Sequence, residues 1–301
     1  MTKHFYYLIT ALIITSCATK NPHKITEKVY DQQLKTLEQQ ITSKEVQPIP
    51  AVAPLSIDSL YAQQLHIVRD SISKTGSTAL LNGISTEWIG TVNFNLRKPS
   101  FVIIHHTAQD SLEQTINTFT KVKTQVSAHY VISENGKVVQ MLNDYLRAWH
   151  AGNSTWGKTT DLNSTSIGIE LDNNGFEPFS EAQISSLVAL LTKLKKDYNI
   201  PTQNFIGHAD IAPGRKTDPS ALFPWKTLAE KGFGIWQDDV LEEAPFDFKI
   251  EPALRIIGYN TKNLTAAIMA FKLHYIQTDT TSVLDRKTID TIYSIYKKQL
   301  Q

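Results

Sequence analysis

A chain of 301 residues, 41% hydrophobic and 20% charged, can bury the core of one large or two modest domains and is too apolar to be a disordered chain. Its 30 basic and 29 acidic side chains leave a formal net charge of +1, which gives no pointer to nucleic acid as a partner. A single cysteine excludes an intrachain disulfide framework.

The chain opens with Lys3 ahead of an apolar run from Phe5 to Ile14, too short to span a bilayer and suited to a signal peptide over residues 1–17. The segment Ile14 to Cys17, ITSC, resembles the lipobox of bacterial lipoproteins, in which the cysteine is lipidated and becomes the new N-terminus. Cys17 is therefore the expected lipidation site, and its acyl chains the expected membrane anchor. The lack of an Asp directly after Cys17 favours the outer membrane, facing the periplasm. Residues 18–56 read as a polar tether ending in a proline-rich spacer, with Tyr30, Leu34, Leu37 and Ile41 at helical spacing. Residues 57–72 repeat the helical period, with His66 on the helix surface.

The next segments alternate strand and helix. SFVIIHHTA is a strand with Phe101, Ile103 and His105 on one face and Val102, Ile104 and His106 on the other. Asn135-Gly136 between two alternating runs predicts a hairpin. TSIGIEL is a strand that sets Glu170 opposite Ile169 and Leu171. Ser180 with Gln183 forms a capping box for a helix buried through Leu187, Leu190, Leu191, Leu194 and Tyr198. A further strand ends at His208. This order predicts an α/β fold, a mixed central sheet flanked by helices, over residues 57–236 with its core at about 88–236. After an acidic linker at 237–246, residues 247–301 read as a small three-helix domain with a binding role.

Five of the nine histidines lie between 105 and 208, several at strand ends. Two strand-end histidines and a carboxylate are the ligands a catalytic zinc needs, three from the protein with one position left for water. His105 and His208 stand on separated segments, so spacing alone leaves metal and no metal both open. Glu170, a carboxylate on a core strand, is costly to bury unless it is paired or functional, although a solvated second face would also explain it.

Six motifs then occur in order: VIIHHTA, VSAHYVI, NGKVVQ, RAWHAGNS, TSIGIEL and GHADIAPGRKTDPSALFPW. Together they resemble the type-2 N-acetylmuramoyl-L-alanine amidases, zinc enzymes that share a fold with peptidoglycan recognition proteins. The C-terminal unit resembles the peptidoglycan-binding module of lipid-anchored outer-membrane members. The resemblance implies zinc held by His105, His208 and Asp218, with Glu170 as general base and acid. It sets Lys216 near the scissile carbonyl, where a cation stabilises developing negative charge. Peptidoglycan and muropeptides become the expected partners, and the chain is expected to be a monomer. His150, Arg215 and Trp149 are candidates for substrate binding. His150 has an equal alternative in holding its loop, Trp149 in core packing and Arg215 in simple solvation; the role of His129 stays open. Trp156 is a second candidate to line the cleft. His106 should face away from the metal, and Asp210 should cap or support rather than ligate. The competing expectations are a receptor that binds peptidoglycan without cutting it and a wall-tethering lipoprotein.

Overall fold

The computed structural model describes residues 98–120 and 122–301. The signal peptide, Cys17, the tether and the 57–72 segment with His66 lie outside the described residues. The described sheet has five strands: β1 (Phe101–His106), β2 (Tyr130–Ile132), β3 (Val138–Gln140), β4 (Ser166–Leu171) and β5 (Phe205–Gly207), in the order β3-β2-β4-β1-β5. β4 and β5 flank β1 in parallel and β2 pairs in parallel with β4. The antiparallel β2–β3 pair makes the sheet mixed, as expected from the sequence. The hairpin closes where Ser133 N–H donates to the Lys137 carbonyl, with Asn135-Gly136 inside the loop. Gly136 has a φ of 84°, and a Cβ there would lie 2.7 Å from the Ala182 carbonyl oxygen. Glycine is required at that point on both counts.

Helix α1 (Leu112–Phe119) follows β1, and the long helix α2 (Glu181–Tyr198) follows β4. The Ser180 side chain accepts from Gln183 N–H and starts α2; Asn199, at a φ of 53°, ends it just before Pro201. Leu187, Leu190, Leu191 and Leu194 press onto Val102, Ile104, Ile167, Ile169 and Leu171, which form one apolar face of the sheet. The Gln183 amide, fully buried, donates to the carbonyls of Ile132 and Asp172 and so terminates two neighbouring strands. The predicted strand ending at His208 is shorter than its apolar run, since Thr202–Asn204 forms a 3-10 turn before β5.

Beyond β5 come a one-turn helix α3 (His208–Ile211), then α4 (Trp225–Glu230) and three C-terminal helices, α5 (Ile250–Ile257), α6 (Leu264–Tyr275) and α7 (Arg286–Gln299). The three-helix expectation matches these elements. Their independence does not follow, because Leu254, Ala267, Phe271 and Ile292 share one buried cluster with Ile103 and Ile206 of the sheet and Ile211 of α3. The C-terminal helices therefore close the second face of the sheet. An apolar α6 helix could not stay solvated on a flexible linker while Ile103 and Ile206 needed cover.

Candidate metal centre and catalytic cleft

The register of the parallel strands builds the site. His105 pairs with Glu170 across β1 and β4, so the two side chains stand together on one face. Ile104 pairs with Gly207 on the other side, and the next residue, His208, emerges level with His105. The chain then turns back through residues 212–217, and the Asp218 carbonyl accepts from Ala209 N–H at 2.8 Å. Gly207 lets this return pack closely, since a Cβ there would lie 2.9 Å from Cδ of Pro219.

Three atoms converge where these segments meet. Nδ1 of His105, Nδ1 of His208 and Oδ2 of Asp218 each lie 3.0 Å from the other two. The far side of each ring decides where the protons are. Ser166 Oγ donates to the Leu162 carbonyl, so it accepts from His150 Nε2–H at 3.2 Å. His150 Nδ1 is then an acceptor, filled by His105 Nε2–H at 3.0 Å, which leaves the Nδ1 of His105 bare. His208 Nε2 lies 3.2 Å from the Ala151 carbonyl, a shorter contact than the 3.4 Å to Arg215 Nη2; in the tautomer that donates to that carbonyl, the Nδ1 of His208 is bare as well. Burial and the neighbouring His208 push the His105 pKa down to about 4, so its ring is neutral near pH 7. Burial works to raise the Asp218 pKa, but contacts with His105 and His208 hold the carboxyl well below its usual range.

Three buried lone-pair atoms at mutual contact repel one another, and one shared proton would satisfy only one edge of the triangle. A cation removes all three conflicts. Two imidazole nitrogens and one carboxylate oxygen are the donor set of a catalytic zinc site, whereas calcium and magnesium take oxygen ligands. Ligands about 2.0–2.2 Å from a tetrahedral ion stand roughly 3.3–3.5 Å apart, so the present spacing needs only slight expansion. His105, His208 and Asp218 thus form a possible metal site whose chemistry fits zinc.

Glu170 stands beside this triangle, its Oε1 4.0 Å from Nδ1 of His105. Its other oxygen, Oε2, is buried and has no hydrogen-bond partner among the described residues. Burial, reinforced by the charge of Asp218 and opposed by Lys216, pushes its pKa up to about 8. A carboxyl poised near neutrality is able both to take and to return a proton. The triangle and Glu170 form the floor of a cleft of about 370 Å³. Phe119, Val126, Trp149 and Lys216 contribute to its walls.

Trp149 is 49% exposed on that wall, which sets aside core packing as its role. Trp156 is not at the cleft; it packs edge-on to Tyr259 at 5.0 Å and over Gly258. Arg215 borders the cleft, but its Nη2 donates to the carbonyls of Ala151 and Asn153, so this guanidinium edge holds the loop that carries the His208 acceptor. His150 lines the cleft. Both of its nitrogens are engaged inside the protein, one with His105 and one with Ser166, so the ring supports His105. His129 donates to the Leu146 carbonyl and accepts from Gly168 N–H, a wholly internal role. His106 accepts from Ser220 N–H on the opposite face of β1, outside the triangle. Asp210 accepts from Gly207 N–H and caps α3, also outside it.

The relay from His105 through His150 to Ser166 was not read from the sequence. Gly168 carried a signal for it: a glycine inside a core strand marks a close approach. A Cβ there would lie 2.4 Å from Cγ of His150.

The Amidase_2 family, described as N-acetylmuramoyl-L-alanine amidase, matches residues 95–221. The chain is 43% identical over 153 residues to the N-acetylmuramoyl-L-alanine amidase AmiD of Escherichia coli, a match covering 46% of this chain and 54% of that protein. The chain thus spans about half the length of the curated relatives it matches. A solved structure of E. coli AmiD with anhydro-N-acetylmuramic acid-L-Ala-D-γ-Glu-L-Lys superposes with a TM-score of 0.61 at 30% identity, covering 74% of this chain and 98% of that one. AmpDh3 of Pseudomonas aeruginosa, in complex with anhydromuramic pentapeptide, superposes with a TM-score of 0.61 at 28% identity, covering 73% and 98%. The superposition covers 74% of this chain, a longer share than the family match at residues 95–221, in keeping with C-terminal helices that belong to the same body as the sheet. On this match in sequence and fold, the chain belongs to the N-acetylmuramoyl-L-alanine amidase family, Amidase_2.

Proposed function

We propose that this chain is a zinc-dependent amidase of peptidoglycan, cutting the amide between the lactyl group of N-acetylmuramic acid and the L-alanine of the stem peptide. The observation that carries this is the triangle of acceptors on His105, His208 and Asp218, with Oε2 of Glu170 beside it lacking a hydrogen-bond partner among the described residues. A zinc ion held by the triangle would supply a Lewis acid and bring the pKa of water toward neutrality. Glu170 takes a proton from the attacking water as the new C–O bond forms. It returns that proton to the alanine nitrogen as the C–N bond breaks. Lys216, on the cleft wall, supplies positive charge near the carbonyl oxygen on which negative charge grows. Trp149 offers an aromatic wall to the muramoyl-peptide.

The relatives solved with anhydro-muropeptides support soluble anhydro fragments as substrates here too. The ITSC segment supports a lipid anchor at Cys17, and the protein is assigned to the periplasmic face of the outer membrane on that basis. Replacing Cys17 by Ala should move the protein from the membrane pellet to the soluble fraction.

The deciding experiment incubates the purified protein with defined muropeptides and follows the products by mass spectrometry. Release of the intact stem peptide, abolished by chelation and restored by zinc, is the expected result. Stoichiometric binding with no release would make the protein a receptor instead.

A further inference from the structure

Asp210 is 1% exposed and carries three hydrogen bonds. Its Oδ2 accepts from Gly207 N–H at 2.8 Å, directly before His208. The same oxygen faces His274 Nδ1 at 2.7 Å, and Oδ1 accepts from the Tyr259 hydroxyl at 2.6 Å. Both partners belong to the C-terminal helical unit, beyond the residues matched by the family description. The His274 ring is sandwiched between Trp225 and Tyr275, at 3.9 and 4.0 Å between ring centres. Such stacking fixes the direction of its Nδ1–H.

His208 is the first residue of α3, a helix of only four residues. A helix this short has no stability of its own, so tertiary contacts decide its geometry. Beside the Ala209 N–H bond to the Asp218 carbonyl, Asp210 supplies the side-chain anchor of this turn, and the C-terminal unit orients Asp210. We infer that Tyr259 and His274 are positioning residues for the metal site: through Asp210 they hold the Gly207–His208 turn so that Nδ1 of His208 meets His105 and Asp218. The C-terminal helices then set zinc affinity as well as covering the sheet. This inference rests on the proposed zinc role of His208.

The test uses Tyr259→Phe and His274→Phe, singly and together. Each removes one hydrogen bond to Asp210 while keeping an aromatic ring in place. Zinc affinity is measured by competition with a chromophoric chelator, alongside the Tm of the metal-free protein and kcat and KM. The double variant should bind zinc about tenfold more weakly, the low end of the loss seen when a hydrogen bond to a metal ligand itself is removed, because these bonds act one step further out, through Asp210. Its kcat should fall while KM stays within about twofold, as for a group acting on chemistry rather than on substrate capture. His274→Gln, whose amide N–H also reaches toward Asp210, should recover part of the affinity.

A control separates positioning from bulk stability. Ile268→Ala, in the same helix and the same buried cluster, weakens packing without touching Asp210. Compared with the double variant, the control should keep near-normal zinc affinity even where its Tm falls as far. Zinc affinity unchanged in the double variant, or lost equally in the control, would overturn the inference. If the wild-type protein binds no zinc, the proposed function fails and this inference falls with it. Zinc binding in the wild type with no response in the variants sinks the inference alone.

Discussion

The two faces of the sheet are built on opposite principles. The face under α2 is apolar from Val102 and Ile104 to Ile167, Ile169 and Leu171, every one of them fully buried, and carries a histidine, His106, only at the end of β1. The other face changes character along its length. Ile103 and Ile206 are covered by the C-terminal helices, and the next outward-stepping residues on β1 and β5 are His105 and His208. The first face stabilises by removing area from water; the second uses that buried base to hold proton-free nitrogens and two buried carboxyls in place. Charged chemistry in a buried setting is possible because the apolar half beneath it fixes the backbone.

The sharpest break between the faces should come from Glu170. Glu170→Gln keeps shape and burial but removes the base, so turnover should fall about 10²–10⁴-fold, the usual worth of general acid–base catalysis. Zinc stoichiometry should remain that of the wild type, because Glu170 lies outside the triangle. Turnover that survives in this variant would remove Glu170 from the mechanism.

On the α2 side the consequence should be stability without chemistry. Leu187 is fully buried, and Leu187→Ala should destabilise the protein by about 2–5 kcal/mol in urea unfolding. The folded fraction should keep its zinc affinity and kcat. A specific loss of zinc affinity at temperatures where the variant is folded would mean that the faces are coupled more tightly than their packing indicates.

Gly168 lies at the seam. Its side of β4 faces the His150 ring, and a methyl group there would sit where that ring stands. Gly168→Ala should displace His150, release Nε2 of His105 and weaken zinc binding about 10–100-fold, with a smaller change in Tm. Equal zinc affinity in wild type and variant, measured by chelator competition, would show that the His150 contact does not set the His105 orientation.

How much of this was legible in the sequence divides along the same seam. The α2 face was readable because the alternation in β1 and β4 and the leucine stripe of α2 are local patterns. The convergence of His105, His208 and Asp218 depends on register between strands far apart in sequence, and no spacing encodes that; the resemblance to a family supplied it. The support that His150 gives His105 has no local signal, because its partners, His105 and Ser166, lie 45 and 16 residues away. The acidic linker before the C-terminal helices predicts a separate module. Their buried residues turned out to complete the half of the sheet that the sequence left without cover.

The smallest effect is a pH dependence that belongs to the chemical face alone. Glu170 is held at a pKa of about 8 by burial and by Asp218, against 4.5 in an unfolded chain. Between those values the folded state keeps a proton that the unfolded state releases, so stability is lost as pH rises toward 8. His105 acts in the opposite sense, because its pKa of about 4 makes the folded state refuse a proton that the unfolded state takes below 6.5. The two effects oppose each other between about 4.5 and 6.5, and above 6.5 only the Glu170 effect continues. Metal-free wild type should therefore lose up to about 1.4 kcal/mol per pH unit relative to Glu170→Gln between pH 6.5 and 8, the limit for a single titrating group. Subtracting the variant cancels the histidine contributions that both proteins share. Urea unfolding of the two chelated proteins at pH 6.5 and 7.5 measures the difference. Parallel losses in both would mean that Glu170 ionises as freely in the folded protein as in the unfolded one, and the contrast between the two faces would reduce to metal binding alone.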